Sequence, residues 1–147
     1  MQIKIEGLPQ LQTRLQRVVD SMGSLQPTFR KVGEVMTKFY STQPFLSQGG
    51  VYGEHWAPLS AKYEVKKERA YPGRGILVAS GKMMDSFKAE ATNHSVTITN
   101  TSELFAYHQM GTSKMPQRVS MMLDEQRRQL AMKTISADLK IRIKEAW

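Results

Sequence analysis

A chain of 147 residues is long enough for one domain with a real core and short for two. Hydrophobic residues make up 40% and charged residues 23%, which excludes a disordered chain, and the absence of cysteine excludes a disulfide scaffold, a thiolate zinc site and a cysteine nucleophile. Lys+Arg of 21 against Asp+Glu of 13 leaves a net charge of +8, which favours acidic partners such as nucleic acid, an anionic membrane surface or an acidic protein face. That excess is spread along the chain, and even its densest stretch, Lys62 to Arg74, has acids interleaved. A diffuse solvated surface therefore fits better than a dedicated phosphate-binding stripe. The opening MQIKIEGLPQ lacks the apolar stretch of a secretory signal, and no apolar run reaches the roughly eighteen residues of a membrane helix. A soluble protein of a cytoplasm-like compartment is expected.

Gln2 to Glu6 alternates polar and apolar residues and predicts a short strand, which Gly7-Leu8-Pro9 breaks. Leu8, Leu11, Leu15, Val18, Val19 and Met22 then form a helical stripe. After Gly23–Pro27 the stripe resumes with Phe29, Val32, Val35, Met36 and Phe39 and is expected to end before Pro44. This predicts one helix kinked near Gly23–Pro27, or two in sequence. From Ser47 to Arg74, glycines and prolines punctuate a stretch carrying Tyr52, Trp56, Tyr63 and Tyr71. It reads as a long central loop, flexible over about 47–75, with a short helix from Ser60 (a candidate N-cap) to about Arg69. Lys88–Ala91, Val96–Thr99 and Leu104–His108 read as strands, and Arg118–Leu123 as a last strand or the run into a helix. Ala131, Ile135, Leu139, Ile143 and Trp147 recur every four residues and predict a C-terminal helix, against a strand-like alternation over Leu139–Lys144. The expected fold is α+β, one domain over residues 1–147: a small antiparallel sheet packed by a long N-terminal helix and a C-terminal helix.

Chemistry is hard to find. His55, His94 and His108 have no metal-ligand spacing, and no metal or cofactor is expected. Gly75-Ile-Leu-Val-Ala-Ser-Gly81-Lys82-Met83 fails as a phosphate loop, because five residues separate the glycines and Met83 stands where a hydroxyl should be. No serine sits in a nucleophile elbow. An enzyme is not expected. Trp56 and Tyr63 amid Lys66, Lys67 and Arg69 could stack bases or anchor a protein partner, and without a nucleic-acid-binding motif the protein interface is favoured. Left without a partner these aromatics would sit in water, so the loop is expected to order on assembly. His108 and Gln109 are expected to fix the loop Gly111–Pro116 near a subunit boundary, with Gly111 at a backbone angle that a Cβ would penalise.

The order of the blocks Trp56-Ala57-Pro58-Leu59-Ser60 with Tyr63 and Lys66, then Ile76-Leu77-Val78-Ala79-Ser80-Gly81, then Ala106-Tyr107-His108-Gln109-Met110-Gly111-Thr112 with Pro116-Gln117-Arg118, resembles the tailed-phage virion-morphogenesis (tail-completion) family. Gln117 stands where that family usually has Ala, and Val119 where an aromatic residue or Pro is common. The resemblance covers most of residues 1–120. It implies a structural protein of the phage neck in the virion, assembled in the host cytoplasm after DNA packaging. It also implies a homo-oligomeric, commonly hexameric ring around the DNA path, with neck, connector and tail-tube proteins as partners. The interface candidates are then Trp56, Tyr63, Lys66, Lys67, Arg69, His108, Gln109, Gly111 and Arg118. A tail-terminator ring capping the tail tube, or a basic nucleic-acid-binding module, are the alternatives.

Overall fold

The computed structural model describes residues 8–147, so the strand expected at Gln2–Glu6 lies outside the described residues. Its elements in chain order are α1 (Leu8–Ser21), α2 (Gln26–Leu46), α3 (Ala61–Ala70), β1 (Phe87–Ala91), β2 (Val96–Asn100), α4 (Phe105–Met110) and α5 (Glu125–Ala146), with short 3-10 turns at Gly50–Tyr52 and Met84–Ser86. The fold is α+β, as the periodicities imply, and the interrupted N-terminal stripe is two helices.

Helix α2 is the spine. Pro27 sits in its first turn, where a missing N–H costs nothing, and Val32, Met36 and Tyr40 recur every four residues on its inner face. The helix does not stop before Pro44 as expected; it runs through to Leu46. Pro44 falls in the last turn, where its ring sacrifices one helical bond, and it is fully buried, so packing offsets that loss. The antiparallel hairpin β1–β2, with Phe87 opposite Asn100 and Ala91 opposite Val96, lies across α2. Gly33 makes that approach possible, because a Cβ there would stand 2.8 Å from the Ala89 Cβ and 3.1 Å from the Val96 Cγ2. The core consists of Val32, Met36, Tyr40, Phe45, Trp56, Met83, Phe87 and Phe105. Its rings form a chain: Phe45 meets Trp56 edge-on at 5.7 Å and Phe87 at 6.5 Å, and Phe87 meets Phe105 at 5.7 Å.

Leu104–His108 is not a strand. Residues Phe105–Met110 are helical, which places Phe105 in the core and Gln109 one turn further along the same face. Short apolar runs carry no periodicity long enough to separate the two states, and the burial of Phe105 decided this one. In α5 the helical period wins over the alternation. Asp124 caps its start by accepting the Arg127 N–H at 3.0 Å. The helix runs antiparallel along α2, where Asp138 accepts from Thr28 Oγ1 at 2.6 Å and pairs with Lys31. It then passes the beginning of α2. Arg142 reaches Thr28 Oγ1 at 3.0 Å and the Ser21 carbonyl, and Trp147 lies under the Arg14 guanidinium at 5.9 Å. Helix α1 and the end of α5 therefore pack on each other as an arm.

Candidate assembly interface

The stretch from 47 to 75 carries the short helix expected from Ser60 to about Arg69, observed as α3, and a 3-10 turn. It is fastened to the rest of the chain by side chains. Trp56 is 8% exposed, and its indole N–H donates to the Val119 carbonyl at 2.8 Å. The expectation that this ring waits for a neighbouring subunit is overturned: Phe45 and the 119–122 segment already enclose it. Lys67 is also interior, and its ammonium donates to the Gly75 carbonyl at 2.7 Å and to that of Arg74. Tyr63, one turn earlier on the same face as Lys67, is 51% exposed, and Lys66 and Arg69, on the other faces of α3, are exposed as well. Ser60 occupies the N-cap position of α3 without a capping side-chain bond.

Residues 118–122 run extended but join no sheet. Their ladder is made of side chains. The carbonyls of Val119, Ser120, Met121 and Met122 accept in turn from Trp56, Tyr52, Gln109 Nε2 and Tyr40. Gln109 Oε1 accepts the N–H groups of Ser120 at 2.9 Å and Met121 at 3.1 Å. Arg118 is 4% exposed, with Nε on the Ala57 carbonyl and Nη2 on the Pro58 carbonyl, both at 3.0 Å. Its main-chain N–H donates to the His108 carbonyl at 2.7 Å. Gly111 takes φ +74, ψ 170, an extended conformation that L-residues avoid, so that the chain can turn past Gln117.

Between α3 and the 111–118 turn lies a groove of about 570 Å³. Pro58, Leu59 and Ser60 of the first block line it, as do Leu77 and Ser80 of the second and His108, Pro116 and Arg118 of the third. The three stretches that carry the resemblance thus meet in one place. Lys82 and Lys114 sit at the groove and no carboxylate lines it. The His108 Nδ1 is buried without a partner among the described residues, and burial, with the Arg118 charge beside it, holds its pKa below the ordinary histidine value. Of the residues singled out from sequence, Tyr63, His108 and Arg118 face this groove together with Lys67, whereas Lys66 and Arg69 do not line it and Gln109 and Gly111 hold its wall in place.

Sequence reasoning missed Arg127. Its guanidinium is buried between the rings of Phe39 and Tyr52, 4.9 Å from each, bonds the Val51 carbonyl and pairs with Asp124 at 3.2 Å. No local pattern marks its burial, because the rings and the carbonyl that enclose it, Phe39, Tyr52 and Val51, lie far away in the chain. The arm carries a second apolar surface. Leu11, Leu15 and Val19, one helical row of α1, are exposed by 42%, 48% and 62%, and Trp147 at the tip of α5 by 53%.

The fold is thus a small α+β domain that uses its buried polar residues to fasten its own chain and leaves apolar side chains of α1 exposed. The chain belongs to the phage virion morphogenesis family, whose model matches residues 7–140. No curated protein and no solved structure matches it.

Proposed function

We propose that this protein is a structural subunit of the phage neck, which assembles with copies of itself into a ring at the head–tail joint and completes the tail for joining. The family supports a role in virion assembly. The observation that carries the finer reading is the arm. A row of leucine and valine on α1, and Trp147 against Arg14 of the same helix, stay exposed in the single chain, and exposed apolar surface of this kind marks a protein–protein contact. A closed ring would cover that surface on every copy through one repeated heterologous contact. The groove between α3 and the 111–118 turn, with cations and no carboxylate, then suits an acidic face of a neighbouring virion protein.

The test uses the purified chain and a phage lacking it. Light scattering after size exclusion, with negative-stain images, should give a closed ring of one mass. Extracts without the protein should hold full heads and tails of normal length that stay apart, and adding the protein should join them. Tails of uncontrolled length would instead make it a tail terminator. A monomer that holds duplex DNA with a steep salt dependence would replace both readings by a nucleic-acid-binding module.

A further inference from the structure

The groove between α3 and the 111–118 turn is built before anything enters it. Arg118 ties its wall to the Ala57 and Pro58 carbonyls, both at 3.0 Å, and the Lys67 ammonium ties α3 to the Gly75 carbonyl at 2.7 Å. Gln109 holds the Ser120 N–H at 2.9 Å. Stretches far apart in sequence are thus fixed around one cavity of about 570 Å³. That size falls within the about 300–1,000 Å³ of preformed ligand sites, and a site already ordered loses less on binding.

Two kinds of surface meet in it. Leu59, Leu77, Met83, Met115 and Pro116 give it apolar walls. At Leu104 the apolar surface continues outward, because Leu104, Tyr107 and Met110 stand three residues apart along α4 and all are exposed. Lys82 and Lys114 are exposed at the same groove, and neither ammonium has an ion pair among the described residues. With no carboxylate in the lining, the field there is positive. A second copy of this chain suits the groove badly. It carries +8, and its exposed apolar row on α1 shares that helix with Arg14 and Arg17 against Asp20 alone. Apolar walls offer a phosphate backbone nothing to bond, and a flat folded face cannot enter a concave site. A projecting peptide meets both conditions. We propose that this groove takes a short acidic segment of another protein, with an apolar side chain against Leu77 and Leu104 and carboxylates at Lys82 and Lys114. This deepens the reading of the groove as the contact for an acidic neighbour and rests on that reading, not on the ring.

The probe is a library of short random peptides, selected on the purified full chain. Sequences that combine Asp or Glu with a large apolar residue should be enriched. Lys82→Glu with Lys114→Glu should weaken the selected peptide about tenfold, and Leu104→Ser should do the same. Lys133→Glu with Lys140→Glu makes the same change of charge on exposed positions of α5 outside the groove and should leave binding unchanged. Failure to enrich acidic sequences, or an equal loss in the two paired variants, would overturn the segment site. Poly(dT) that binds through Lys82 and Lys114 while no peptide is selected would give the groove to nucleic acid instead. Light scattering on the Lys82→Glu, Lys114→Glu chain should show the same assembly as the native chain, and its loss would make the groove a contact between copies. If that variant fails to join heads to tails although no peptide is selected, the acidic neighbour stands and the segment is wrong.

Discussion

The indole N–H of Trp56 donates to the Val119 carbonyl at 2.8 Å across 63 positions of sequence. It is one rung of a ladder in which an extended backbone is satisfied by side chains in place of a neighbouring strand. A buried carbonyl without a donor costs about 1–3 kcal/mol, so this segment holds its course only while Tyr40, Tyr52, Trp56 and Gln109 are all present.

Gln109 is the most heavily used rung, accepting from two main-chain N–H groups and donating to the Met121 carbonyl. Gln109→Met keeps the side-chain length and removes every one of these bonds. Thermal or urea unfolding should show a loss of about 2–4 kcal/mol, less than three fully orphaned groups at about 1–3 kcal/mol each would cost, because this segment is only partly buried. A loss under half a kcal/mol would show that water replaces the amide and that the ladder is incidental.

Gly111 stands at φ +74, ψ 170, and an added Cβ would lie 2.9 Å from the Gln117 backbone nitrogen. Neither the angle nor the backbone atom can yield cheaply. Gly111→Val should therefore lower stability by about 1–3 kcal/mol from strain alone. Melting curves of the two chains decide it, and coincident curves would refute the strain.

Much of this was readable in advance because it is local. The α1 and α2 stripes, the hairpin, α5 and the need for glycine at 111 each follow from periodicity or turn chemistry within one stretch. The α4 helix and the interior of the 47–75 segment were not readable in that way. Lys66 and Lys67 show why: adjacent and identical in type, one is exposed while the other donates to two carbonyls seven and eight residues ahead. Helical geometry sets their directions about 100° apart, but only the fold decides which direction is inward. The three motif blocks were legible as blocks. Their meeting around one groove depends on Arg118 reaching Ala57 and Pro58, a contact without a sequence period.

Asp138 ties α5 to α2, and its pKa lies below the ordinary carboxylate value, chiefly through the bond from Lys31 and then that from Thr28, against the opposing effect of burial. As pH falls the unfolded chain takes its proton first. The stabilisation is thus present above about pH 4 and lost as pH falls through the depressed folded value. His108 adds a separate loss that begins near pH 6.5, because the fold holds its imidazole neutral. Asp138→Asn should melt lower than the native chain at pH 7, with the gap narrowing below about pH 4 while the step attributable to His108 persists. A gap independent of pH would mean that Asp138 contributes through packing alone.

The arm offers the sharpest separation of folding from assembly. Leu15 is half exposed in the middle of the α1 row, so a charge placed there costs the single subunit little, within about 0.5 kcal/mol as for other surface changes. In a ring that buries the row, the same charge would have to be desolvated at every junction. If the proposed ring forms, Leu15→Lys should therefore leave dilute-solution melting unchanged while light scattering reports monomers at concentrations where the native chain assembles. Tail-joining activity should fall with the ring. Rings of native mass from the Leu15→Lys chain would show that the leucine row faces solvent in the assembly, and the neck reading would then have to rest on the groove instead of the arm.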